Sequence, residues 1–185
     1  MRLAISLLIF FCLPVLANDS LLGSLSDKAS NIESFSGLFT QHRKISVLPL
    51  PLNSKGEFRY HHLTGMVWTT LHPIQSTVII SNQGVQMEDA KSVRRTVGSP
   101  QVAKALLALF SGKLSSLSEK FSIVATGSSS DWRLQLRPKN ELLADEVKLI
   151  DIHGKETTES VSIADTNGDR SDLTFKVHNI KLFKK

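Results

Sequence analysis

Apolar and polar residues alternate along most of the chain after position 35. In the segment EFRYHHL (57–63), Phe58, Tyr60 and His62 fall on one face of an extended strand, because successive strand side chains point to opposite sides. The neighbouring His61 and His62 are therefore expected to point to opposite faces. About ten segments of this kind predict strands: 35–48, 57–63, 65–71, 76–81, 85–89, 121–127, 131–138, 146–154, 158–165 and 171–180.

Two other segments have helical spacing. From Asp19 to Ile32, apolar residues recur every three or four positions, which predicts an amphipathic helix of roughly fifteen residues. A second helix is expected between a capping Ser99 and Gly112, with Pro100 at its first position. Its body, QVAKALLALF, is apolar on nearly all sides, so it lies in a core or covers an apolar surface. A short third helix is expected over 113–120.

Turn signals connect the predicted strands. Pro73 ends one strand, and Asn167-Gly168 is typical of a two-residue type I′ hairpin turn. No shift in composition indicates a domain boundary. The pattern therefore predicts a mainly β, α+β fold in which one curved antiparallel sheet carries about three helices on one face.

The first residues have the organisation of a secretory signal peptide. Arg2 is followed by an apolar run from Leu3 to Leu16, and Ala17 supplies a small residue for cleavage. A transmembrane helix needs about 20 apolar residues, more than this run offers. We expect a signal peptide over 1–17 and a single exported domain over 18–185, with an uncleaved N-terminal anchor as the alternative.

Composition disfavours several classes of function and suggests a cellular compartment. The only cysteine, Cys12, lies inside the expected signal peptide, so the mature chain is expected to lack disulfides and thiolate sites. A disulfide-free exported protein suggests the periplasm of a Gram-negative bacterium. The net charge of +5 is scattered and includes no arginine-rich run, which disfavours nucleic-acid binding.

Catalytic and metal-binding motifs are missing from the sequence. It has no G-x-S-x-G elbow, no P-loop and no G-x-G-x-x-G segment. The six histidines form no H-x-x-x-H pair, and DTNGD (165–169) departs from the spacing of a calcium loop. We therefore predict a protein that is not an enzyme and uses neither metal nor cofactor. An exported hydrolase with an unrecognised site stays open as an alternative.

A series of residues in the first half resembles one protein family. Phe39-Thr40-Gln41 is followed by Gly56-Glu57-Phe58, then Trp68, then Pro73 five residues later, and a strand that ends in a turn at 81–84. This order is similar to that of the LolA-type periplasmic outer-membrane lipoprotein carriers, and it indicates a divergent member. The resemblance is specific over 35–84 and looser in the second half.

The resemblance implies an incomplete antiparallel β-barrel, closed by helices, whose apolar cavity holds lipid acyl chains. The expected partners are acylated cargo, a releasing ABC-type complex of the inner membrane and an outer-membrane receptor, with the carrier itself a monomer. Residues implied to line the cavity are Phe39, Phe58, Tyr60, Met66, Trp68, Val78 and Ile80. The second helix is implied to be the lid, through Leu106, Leu109 and Phe110.

One position departs from the family pattern. Carriers of this type have an arginine and a proline before the tryptophan, and that arginine bonds to the lid. Here His62 and Leu63 take those places, which makes His62 a candidate for gating the lid with a pH-dependent charge. The departure leaves open a carrier of a free lipid, glycolipid or polyene-type product, and also a structural or sensor domain that uses the same cavity.

Overall fold

The computed structural model describes residues 17–81, 84–89, 94–95 and 100–184. These residues form four helices: α1 (Ala17–Ser30), α2 (Pro100–Phe110), α3 (Leu114–Lys120) and α4 (Glu141–Ala144). They also form eleven strands: β1 (Ile32–Lys44), β2 (Leu52–His61), β3 (Gly65–His72), β4 (Ser76–Ser81), β5 (Gly84–Asp89), β6 (Arg94–Arg95), β7 (Phe121–Ser128), β8 (Asp131–Pro138), β9 (Val147–Gly154), β10 (Thr158–Asp165) and β11 (Arg170–Leu182).

All strands belong to one antiparallel sheet in the order β6-β5-β4-β3-β2-β1-β11-β10-β9-β8-β7. Strands β1 to β6 form one meander and β7 to β11 a second, and the two meet where β1 pairs with β11. Over the part of the chain that the structure describes, β6 and β7 are unpaired edges, so the sheet is open. The predicted mainly β fold, an incomplete barrel with helices, is confirmed.

The core lies between one face of the sheet and the helices. Phe58 and Tyr60 of β2 are buried while Glu57 and Arg59 are exposed, as the alternation predicts. Helix α2 packs on β4 and β5, whereas α1 and α3 pack on β7. Helix α4 lies against β8 and β9, and no helix in the described ranges is long and apolar enough to cross a membrane.

Several local predictions need correction. Strand β2 ends at His61, so His62 lies in the following turn and is exposed. The expectation that the two histidines point to opposite faces is wrong, since their rings stack 5.0 Å apart. The β10–β11 connection is a three-residue loop with Gly168 at φ +88°, not a two-residue turn. Helix α4 was not predicted, and the predicted turn at 82–83 lies outside the described residues.

Candidate functional site

Seven aromatic side chains cluster on the face of the sheet that the helices cover. The ring centroids of Phe39 and Trp68 are 4.0 Å apart, and those of Phe35 and Tyr60 are 4.9 Å apart. Phe110 of α2 packs on the face of the sheet, with its centroid 5.3 Å from Phe35 of β1 and 5.9 Å from Phe175 of β11. Edge-on and tilted pairs at these distances are the arrangements that aromatic rings prefer. Through Phe110, helix α2 therefore contributes one ring to the cluster.

Glycines opposite the rings let the cluster pack tightly. Gly37 pairs with Phe58 across β1 and β2, and Phe39 pairs with Gly56 two positions along. A Cβ on Gly37 would lie 2.9 Å from the ring of Phe58, and one on Gly56 would lie 2.9 Å from the ring of Phe39. Each ring therefore covers a position where any side chain would collide with it.

A small apolar cavity lies next to this cluster, between α1, α2 and the sheet. Its volume is about 60 Å³, and its walls include Leu25, Phe35, Leu109, Phe110 and Trp132. A water molecule needs about 10–15 Å³ of such volume, so the cavity has room for a few waters and not for an acyl chain. In this conformation helix α2 and two rings of the aromatic cluster, Phe35 and Phe110, bound the space.

Polar groups hold the rim of the cavity. The Lys28 ammonium on α1 donates to the carbonyl of Ser129 at 2.8 Å and to the Glu156 carboxylate at 3.3 Å. The indole N–H of Trp132 donates to the carbonyl of Lys155 at 2.7 Å. These bonds tie α1 to the β7–β8 and β9–β10 connections, so the rim is polar while the interior is apolar.

The structure places the expected cavity residues on the face under α2. Phe39, Phe58, Tyr60, Met66 and Ile80 are buried there, and Trp68 and Val78 are partly buried against them. Their role in holding lipid stays a prediction, because none of the seven is among the described residues that line the cavity. Of the expected lid residues, Leu109 and Phe110 line the cavity, and the Leu106 side chain lies outside the described residues.

Residues from α1 and the second half of the sheet were missed by the sequence analysis. Leu25 and Ala29 on α1, Phe35 on β1, Trp132 on β8 and Val177 on β11 line the cavity. The helical spacing of α1 and the shared parity of Phe35 with Phe39 were the available signals. The sequence did not show which elements of the second half approach α1.

A separate polar cleft of about 250 Å³ lies on the other side of α2. It is lined by Tyr60, His62, Gly65, Ser81, Lys104, Leu107, Ala108, Ser111, Lys113 and Ser116. Among the residues that the structure describes, this lining contains two lysines and a histidine but no carboxylate. Burial raises the pKa of Tyr60, so its phenol stays protonated where the cleft meets the aromatic cluster.

The ring of His62 packs edge-on against Phe183, with centroids 4.6 Å apart. Its backbone N–H donates to the carbonyl of Glu33 at 3.0 Å. His62 and the α2 residues Leu107 and Ala108 line the same cleft, so the histidine lies beside the helix. Its role as a gate stays a prediction.

An open antiparallel sheet with helices over an apolar space is the architecture that the family resemblance implied for carrier proteins. The family model of LolA-like outer membrane lipoprotein carrier proteins matches residues 16–173, and the chain belongs to this family. Membership supports a role in lipid binding and carriage in general. A comparison with curated proteins finds no match.

Three solved structures are similar to this chain at low sequence identity, and the likeness to MucB shows the fold. MucB is 15% identical with a TM-score of 0.51, over 87% of this chain and 58% of MucB. A LolA superfamily protein from Nitrosomonas europaea is 10% identical with a TM-score of 0.49, over 91% of this chain and 94% of that one. A putative outer membrane lipoprotein-sorting protein domain from Vibrio parahaemolyticus is 7% identical with a TM-score of 0.46, over 89% and 92%.

Proposed function

We propose that this protein is a periplasmic carrier that shields lipid acyl chains under helix α2 and moves lipoproteins from the inner to the outer membrane. The observation that supports it is the aromatic cluster joined to α2 through Phe110. Moving this ring would open the 60 Å³ cavity toward the apolar face of β2 to β4. An ABC-type releasing complex and an outer-membrane receptor are the partners proposed for such a carrier.

The energy of acyl transfer gives a physical reason for a helix that covers the apolar face. A sixteen-carbon chain that leaves water gains on the order of 10 kcal/mol at about 0.8 kcal/mol per CH₂. The same lining, if left open to water, would be a large exposed apolar patch. In the proposed cycle, helix α2 and its Phe110 ring cover that lining before cargo binds, and the gain from the acyl chain offsets the cost of moving them.

Retention of lipid by Phe110 variants tests the carrier role. Phe110→Asp is expected to abolish uptake of a fluorescent fatty acid, because a carboxylate would enter an apolar space. The matched control is Val124→Asp, at an exposed aliphatic position outside the cavity lining, which should bind like the parent. Native mass spectrometry of the parent should show co-purifying acylated species. Protein that carries no lipid and takes up no probe would exclude the carrier role.

The polar cleft beside α2 favours a second candidate, a carrier of a free anionic lipid. Lys104, Lys113 and His62 line it with serine hydroxyls, a set suited to a carboxylate or phosphate headgroup. The ring of Tyr60, which lines this cleft, is 4.9 Å from that of Phe35, which lines the apolar cavity. A lipid under α2 would therefore have its headgroup and its chain in adjoining spaces.

Headgroup chemistry separates the two candidates. A free-lipid carrier should bind a fatty acid more tightly than the fatty alcohol of equal length, and Lys104→Gln with Lys113→Gln should remove the difference. Equal binding of acid and alcohol would favour the lipoprotein cargo instead.

His62→Ala at two pH values tests gating, since a pH-dependent retention that disappears in this variant would assign the gate to the imidazole.

Export is also part of the proposal. We propose that residues 1–17 are removed as a signal peptide and that 18–185 form one monomeric domain. Protein isolated from the periplasm should then begin at Asn18 by N-terminal sequencing. A chain that keeps Met1 and stays with the membrane fraction would support the uncleaved anchor.

A further inference from the structure

Two connections at one end of the sheet expose aliphatic side chains. The β1–β2 loop and the β3–β4 turn emerge at the same end, because the strands form an antiparallel meander. Val47 is 85% exposed, Leu50 is 75% exposed and Ile74 is 75% exposed. Leu48, Leu52 and Leu71 are exposed as well. These six residues form the apolar tip, a type of surface that marks an interaction site.

The apolar tip is held in a defined position. The backbone N–H and the hydroxyl of Ser46 donate to Oδ1 of Asp169 at 2.9 and 3.0 Å, and Asp169 is buried. The N–H of Leu48 donates to the carbonyl of Ile45 at 3.0 Å. Two prolines, Pro49 and Pro51, restrict the rest of the loop. Its exposed leucines are therefore presented by an anchored loop, which reduces the entropy lost on docking.

Positive charge lies directly behind the apolar tip. Segments 38–56 and 69–77 contain Arg43, Lys44 and Lys55 but no aspartate or glutamate. On the adjacent strand β11, the Asp172 carboxylate is bonded by Arg170, and Arg43 lies 3.9 Å from the buried Asp169. Across β1 to β3 the charged side chains beside the tip are therefore cationic, whereas on the far side of β4 strand β5 places Glu88 opposite Thr77 and Asp89 opposite Ser76.

We propose that the apolar tip docks on an anionic phospholipid bilayer, with its leucines at the acyl boundary and Lys44 and Lys55 at the headgroups. A bilayer presents the matching sequence of layers, an anionic surface over an apolar interior. The tip lies at the end of β1 to β4 and contributes no residue to the cavity under α2. The inference therefore goes beyond carriage of lipid and names the surface on which the protein acts.

Flotation with vesicles tests the docking surface. The parent should bind vesicles of phosphatidylglycerol and phosphatidylethanolamine more strongly than vesicles of phosphatidylcholine. Val47→Asp with Leu50→Asp should lower binding about tenfold or more, because two inserted aliphatic side chains are lost. Leu63→Asp is the matched control, since Leu63 is 73% exposed at the opposite end of the sheet, and it should bind like the parent.

Charge and insertion depth provide separate readouts. Lys44→Gln with Lys55→Gln should lower binding to the anionic vesicles by about tenfold and weaken its salt dependence. A polarity-sensitive fluorophore on Leu50→Cys should report an apolar environment on the anionic vesicles, whereas the same fluorophore on Leu63→Cys should not. Phe110→Asp should dock normally, so docking can be measured even if lipid carriage fails.

Three outcomes would overturn the proposal. The first is no binding of the parent to anionic vesicles at low ionic strength. The second is an equal loss of binding in the Leu63→Asp control. The third is a Leu50-dependent contact with a protein in place of the bilayer.

Discussion

Gly112 sets the distance between helix α1 and the end of helix α2. It has φ +71°, and a Cβ there would lie 2.5 Å from the carbonyl oxygen of Ser26 and 2.7 Å from the backbone nitrogen of Ser30. The Ser26 hydroxyl also donates to the Gly112 carbonyl. The two helices therefore meet backbone to backbone at this residue, next to Phe110.

Gly112→Ala is expected to lower the free energy of unfolding by about 2–3 kcal/mol, because alanine is strained at positive φ and its methyl collides with α1. Gly23→Ala is the matched control. Gly23 lies in α1 with no atom within 4 Å of a Cβ, so alanine should stabilise by about 0.5–1 kcal/mol through helix propensity. Urea unfolding measures both, and equal effects would contradict the assigned contact.

The charge of Asp169 makes the anchoring of the β1–β2 loop dependent on pH. The Ser46 backbone N–H, helped by the Ser46 hydroxyl and by Arg43, holds the pKa of Asp169 below its ordinary value of 3.8. A depressed pKa means that this anchor stabilises the fold fully above about pH 4 and is lost as pH falls through the lowered pKa. Asp169→Asn should remove that part of the acid dependence of unfolding, and in Asp169→Ala, which lacks the acceptor oxygen, hydrogen exchange at the Ser46 amide should become fast at neutral pH.

Single residues show how far sequence reasoning reaches. The burial of Phe58 and Tyr60 follows from alternation alone, and it was predicted. The pairing of Gly37 with Phe58 depends on the register of two strands, which the pattern of one strand does not contain. His62 was misplaced because the strand stops one residue earlier than the alternation does.

At the scale of elements, strong local signals gave accurate bounds. Helix α2 begins at Pro100 and is followed by Gly112 at positive φ, as the proline and the glycine predicted. Helix α4 is only four residues long and has no apolar period to detect. Asn167-Gly168 correctly predicted a hairpin between β10 and β11 but not the length of its loop. A glycine at positive φ occurs in both two-residue and three-residue hairpin loops.

Helix α2 yields a prediction that separates stability from function. Phe110→Ala should destabilise the empty protein by about 3 kcal/mol, since its ring contacts Phe35 and Phe175, yet increase uptake of a fatty-acid probe by leaving space for it. Phe121→Ala is the control, because Phe121 is equally buried but absent from the cavity lining. It should lose similar stability without gaining uptake. Reduced uptake by Phe110→Ala would show that the ring supports the site rather than filling it.

At the scale of the whole molecule, periodicity alone predicted an antiparallel sheet with helices on one face. The family resemblance added that this sheet forms an incomplete barrel. The cavity was predicted less well, because its walls come from α1, α2 and both meanders, which are far apart in sequence. Contacts between such distant segments have no local pattern. The sequence therefore indicated an apolar face but not which helix residues would complete it.

Cargo binding should stabilise the whole domain. A ligand that binds only the folded state at one hundred times its Kd raises the free energy of unfolding by about 2.7 kcal/mol. The thermal midpoint should therefore rise with the concentration of fatty acid in the parent and stay constant in Phe110→Asp. A rise of equal size in both proteins would place the binding outside the space under α2.

The junction between β1 and β11 has a consequence for how the chain folds. Each meander can form from neighbouring hairpins, but Phe39 finds its partner Phe175 only after residues 170–182 have been synthesised. Closing so long a loop is entropically costly and slow. The two meanders therefore join only once β11 has been synthesised, and until then β1 has an unpaired edge on the side away from β2.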